Sequence, residues 1–119
     1  MNGYWLTHYK FGTKSGHGIA MLHEGELVGG DCEHVWSGTY EEAGSTVDAT
    51  IRVVPAVSSL EVEALARDQP VVLLLFGYCT EEFARLEGYA EHRKDSRCEI
   101  EMRKCMASSS SRQIEKKAA

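Results

Sequence analysis

Nowhere does this sequence string together the roughly 18 apolar residues that a helical membrane span requires. Its most apolar run, residues 71–76, is only a strand's length. A surplus of positive charge is missing as well: 13 lysines and arginines face 18 aspartates and glutamates, for a formal net charge of -5 at pH 7. An acidic surface repels phosphate, so direct nucleic-acid binding through a general basic field is disfavoured, and so is an anionic membrane surface. The N-terminus, Met1-Asn2-Gly3-Tyr4-Trp5, lacks the basic stretch followed by an apolar core that marks a secretory signal, and the expected compartment is the cytoplasm.

Signatures of catalysis and metal binding are lacking too. There is no Cys-x-x-Cys, no His-Glu-x-x-His and no Gly-x-Ser-x-Gly. Cys32 and His34 are two apart and would share a strand face. Alone they cannot close a four-ligand zinc site. At roughly 7 Å between their Cβ atoms they are also too distant for the hydrogen bond that would activate a thiolate. The stretch 12–18 is rich in glycine and holds Lys14 and Ser15, but Thr13 stands where a phosphate-binding loop needs glycine. A strand, not a helix, follows it. Paired acids at Glu24/Glu26, Glu41/Glu42, Glu61/Glu63, Glu81/Glu82 and Glu99/Glu101 fall mostly in turns or on wet strand faces, where solubility explains them. The expectation is therefore no catalytic residue, no metal, no cofactor and no enzyme activity. Cys32, Cys79, Cys98 and Cys105 read as free, partly buried thiols.

What is present is a chain of 119 residues, 43% apolar and 26% charged, which is enough for one globular domain with a core. Short runs rich in β-branched and aromatic residues are separated by turn signals. They predict strands over 4–11, 19–22, 27–30, 35–40, 47–54, 71–78 and 83–90, and a last one from 98 to about 103. The segment 12–18 is read as a glycine-rich connection, 23–26 as a hairpin turn around Gly25, 41–45 as a turn and 91–97 as a polar loop. Val47, Ala49, Ile51 and Val53 alternate with Asp48, Thr50 and Arg52, the pattern of a sheet with one wet face. Pro55 stops that strand. Ser58 and Glu61 fit a capping box, which predicts a short helix near 59–67, although the apolar residues there also alternate. About eight strands at this spacing, with no helix alternating with them, indicate an antiparallel up-and-down barrel or a sandwich. The domain is placed at 1–106, with a flexible low-complexity tail over 107–119.

Two groups of residues invite a binding role. Trp5, Tyr9 and Phe11 share one face of the first strand and either plug one end of the fold or line a ligand cavity or dimer face. In the run 71–78 one parity, Val71, Leu73, Leu75 and Gly77, can fill a barrel. The other, Val72, Leu74, Phe76 and Tyr78, then points outward as an apolar stripe, and a homodimer through that stripe is expected unless 59–67 folds over it.

A glycine-flanked hairpin over 16–31 ends in Gly29-Gly30-Asp31. It follows Gly3-Tyr4-Trp5-Leu6 and precedes Trp36-Ser37-Gly38-Thr39-Tyr40. This ordered set, over residues 2–54, resembles the GrlR family of negative regulators of type III secretion and related bacterial proteins. The resemblance implies a calycin-like, eight-stranded barrel, often dimeric. It implies regulation by binding a protein partner, a transcriptional activator, rather than DNA. The family's acidic partner-binding loop corresponds here to Glu41-Glu42-Ala43-Gly44, with Asp48 further on. The alternative function is binding of a small hydrophobic ligand or lipid inside the barrel.

Overall fold

A computed structural model describes residues 1–55 and 71–105. Eight antiparallel strands follow one another in chain order: β1 Gly3–Phe11, β2 Lys14–His23, β3 Glu26–Gly30, β4 His34–Ala43, β5 Thr46–Pro55, β6 Val71–Cys79, β7 Phe83–Ala90 and β8 Arg93–Lys104. Each pairs with the next, and β8 pairs back onto β1, so the sheet closes into a barrel. Closure removes the unpaired edges that an open sheet of this kind would expose. The antiparallel barrel expected from strand rhythm is thus the fold. The expected helix at 59–67 and the tail at 107–119 lie outside the described residues.

Alternation dictates the layers. Trp5, Leu22, Val47, Leu75, Leu86 and Met102 all point inward and are buried, while their sequence neighbours meet the outside. Arg52, Glu87, Glu99 and Arg103 are among those outward, exposed neighbours. The interior is apolar, unlike the polar lumen of a membrane-spanning barrel, and the outer wall mixes these charged residues with exposed apolar ones such as Leu6, Ile19 and Phe76. No helix among the described residues is long and apolar enough to cross a membrane.

Three connections are shorter than the sequence suggests. The stretch 12–18 is not a loop: the hairpin turns on Gly12 and Thr13, and Phe11 already faces Lys14 across β1 and β2. Gly16 and Gly18 are strand residues whose missing side chains leave room for aromatic rings. A Cβ at position 16 would overlap the Tyr9 ring, and one at 18 would overlap the Trp36 ring and the Gly30 carbonyl. Glycine there marks a close approach, not a turn. The segment 41–45 is likewise mostly strand. Glu41 and Glu42 extend β4, and only Gly44 and Ser45 turn, with Gly44 at φ 63°. The polar stretch 91–97 reduces to a turn at Glu91 and His92, because a register shift at Tyr89/Ala90 lets β8 begin at Arg93. The hairpin around Gly25 forms as expected. Glu24 and Gly25 both take positive φ, 46° and 86°, which is the type I′ geometry that matches strand twist.

An internal cavity as the candidate functional site

The inward side chains do not fill the barrel. They enclose a cavity of about 890 Å³, within the size range of small-molecule sites. Its walls are mainly aliphatic, built from residues such as Leu27, Ile51, Val53, Leu73, Leu75 and Ile100. One end is stoppered. Trp5 is fully buried there, its Nε1 donates to the Met1 carbonyl at 2.8 Å, and the Lys104 ammonium lies 6.0 Å from its ring centroid. The opposite rim carries the polar lining: Lys14, Ser15, Glu33, His34 and Arg93, beside Phe11.

Tyr9 and Asp31 set the shape of that rim. The Tyr9 ring lies over Gly16 and meets Trp36 edge-on, with centroids 5.7 Å apart and planes at 90°. Its hydroxyl donates to an Asp31 carboxylate oxygen. The other Asp31 oxygen accepts the backbone N–H groups of Glu33 at 2.7 Å and His34 at 2.6 Å, which folds the β3–β4 connection into a tight turn. Gly29 and Gly30 bring this turn in close. A Cβ at either would overlap neighbouring backbone, the Ile19 carbonyl for Gly29 and the His34 carbonyl for Gly30. Desolvation alone would raise the Asp31 carboxyl. The hydrogen bonds from Tyr9, Glu33 and His34, with the His34 ring 3.4 Å away, together hold it below the usual carboxylate range. Burial, then the bond to Asp31 and its negative charge, push the Tyr9 phenol well above its ordinary value.

No protein-family model matches the chain, and no curated protein matches it.

Chemically, both rim shifts run away from neutrality. A phenol that is harder to ionise and a carboxylate that is harder to protonate exchange protons poorly near pH 7, whereas a general acid or base works best with a pKa near the operating pH. The pair therefore anchors a loop. Cys98 also lines the cavity, and burial, with Glu99 adjacent, pushes its thiol up to about 11. It is a neutral, weak nucleophile at pH 7. All four cysteines are free, with Cys79 and Cys98 buried and Cys32 exposed. Cys32 and His34 do not act as a pair: His34 turns toward Asp31. Among the described residues, no three His, Cys, Asp or Glu side chains converge as a metal site would require.

The residues singled out from sequence are placed unevenly. Tyr9 and Phe11 line the cavity, whereas Trp5 belongs to its stopper. Glu41 and Asp48 sit directly opposite each other across β4 and β5 and are exposed. Glu42 points to the other face and accepts the Met1 ammonium at 2.8 Å. The three acids thus form no single cluster, and none of them lies in a loop. Val72, Leu74, Phe76 and Tyr78 occupy the outer face of β6, where Phe76 and Tyr78 are about half exposed. Missed from sequence was a broader outer patch. Tyr4 lies opposite Met21, Leu6 opposite Ile19, and Met21 opposite Val28, all exposed, on β1, β2 and β3. Asp31 and Thr7 were also missed. Thr7 shares the parity of Trp5, Tyr9 and Phe11, and that signal could have found it.

Proposed function

We propose that this protein binds a small hydrophobic ligand inside its barrel. The observation that carries the reading is the cavity itself: about 890 Å³ of mainly aliphatic space, stoppered by Trp5 at one end and rimmed by polar residues at the other. Apolar space of that size is costly to leave empty or wet, since burying a ligand's apolar surface there gains roughly 25 cal/mol per Å² before binding costs. Trp36 lines the wall, so occupancy should change the tryptophan emission. Titration with a fluorescent apolar probe and with long-chain fatty acids should quench or shift its emission, and organic extraction of the purified protein should release a resident lipid. Ala49 faces the cavity, so Ala49→Phe should reduce probe affinity at least about tenfold by filling the space. A folded protein that yields no lipid and binds no member of the panel removes this reading.

A second reading, regulation by binding a protein partner such as a transcriptional activator, follows from the resemblance to the GrlR family. Its independent support is the outer apolar patch of Tyr4, Leu6, Ile19, Met21 and Val28, because contiguous exposed apolar surface commonly marks an interface. The facing carboxylates of Glu41 and Asp48 add a site where a partner's cation would relieve like-charge repulsion. Self-association through the outer face of β6 belongs to the same reading.

A further inference from the structure

Only one buried side-chain polar atom among the described residues has no hydrogen-bond partner, and it faces the cavity. Thr7 is 6% exposed, its Oγ1 is unpaired, and it lines the cavity wall. Its cross-strand neighbours offer nothing to bond: Gly18 on β2 has no side chain, and Met102 on β8 is a thioether. Tyr9, two residues nearer the rim, has committed its hydroxyl to Asp31. A buried hydroxyl left in this state is costly, and native proteins pair the great majority of such groups.

We propose that Thr7 is a specificity residue for the ligand, and that the ligand class is a long apolar chain bearing a hydroxyl or keto oxygen within its body. A threonine hydroxyl both donates and accepts, so it takes either group. The placement also fixes where that oxygen must lie. Thr7 and Phe11 at the rim are four strand steps apart, roughly 13 Å along β1 and, with the usual barrel tilt, roughly 10 Å of depth. The oxygen therefore belongs well inside the chain, not at its terminal headgroup. A plain hydrocarbon chain fits the same walls but leaves Oγ1 desolvated and unpaired.

The inference rests on the ligand-binding reading, and the test separates the two. Stearic acid, a set of positional hydroxystearic acids and the matching oxostearic acids are titrated into the wild-type protein, followed by Trp36 emission and by calorimetry. At least one internal oxygenated isomer should bind about tenfold more tightly than stearic acid, the value of one satisfied hydrogen bond at a buried site. In Thr7→Val, which keeps the branched shape, the ratio between those two affinities should fall to about one, and Thr7→Ser should restore it. Binding of all chains with no preference among isomers, or a preference that persists in Thr7→Val, overturns the role of Thr7 while leaving the cavity's function intact. Failure of every chain to bind overturns both. The wild-type comparison stands even if a variant does not fold.

Discussion

At the scale of single residues, the rim is held by one carboxylate. The Asp31 side chain is 7% exposed and satisfies a phenol and two backbone N–H groups at once. Its folded-state pKa is depressed. Its contribution is therefore fully present above the ordinary carboxylate range and is lost as pH falls through the folded value. Asp31→Asn should lower the free energy of unfolding by about 1–3 kcal/mol near neutrality. The gap between the urea melts of the two proteins should begin to narrow as pH falls through roughly 4, where the unfolded carboxylate protonates, and should close only below the depressed folded value. A gap that stays constant down to acid pH would show that the charge contributes nothing there. The Gly-Gly-Asp sequence was visible in the chain from the start. Its meaning was not, because the Tyr9 hydroxyl that completes it comes from a strand 22 residues earlier.

At the scale of the element, β2 is the instructive case. Its first half carries Lys14, Ser15, Gly16, His17 and Gly18, which by composition is loop material. In the folded barrel those glycines lie under the Tyr9 and Trp36 rings, and strand pairing runs unbroken from Gly3↔Leu22 to Phe11↔Lys14. The absent Cβ is a packing requirement, so Gly18→Ala should destabilise the fold by about 1–3 kcal/mol through overpacking against Trp36 and the Gly30 carbonyl. A shift in the urea midpoint with unchanged slope is the expected result. An unchanged midpoint would mean that Trp36 can move aside freely. By contrast β5 was legible at once, since Val47, Ala49 and Ile51 are buried where their alternation says they should be.

For the whole molecule, the outer wall decides how the barrel meets other proteins. Leu74, Phe76 and Tyr78 lie on the outer face of β6, and Tyr78 extends the stripe to Phe83, with ring centroids 6.4 Å apart. Covering each such large side chain is worth up to roughly 1.5–3 kcal/mol. If β6 carries the self-association proposed above, the wild-type chain should run as a dimer by light scattering at micromolar concentration. Leu74→Glu should then give a folded monomer, read by light scattering and circular dichroism together. A monomeric wild type would refute the idea, and an unfolded Leu74→Glu chain would show that the stripe is covered from within its own chain.

Composition and alternation by themselves determined the class of this protein. Eight short runs separated by turn signals, with no helix alternating regularly with them, point to an antiparallel sheet, and period two assigns each side chain to a face. The two possible fates of Val72, Leu74, Phe76 and Tyr78 were therefore already stated by their parity. Whether the interior is packed or hollow is another matter, because it depends on how far apart facing walls stand. Only closure of β8 onto β1 sets that distance. The same closure decided that Trp5 plugs the barrel while Tyr9 and Phe11 line it. It also left the Thr7 hydroxyl facing the cavity with no hydrogen-bond partner among the described residues.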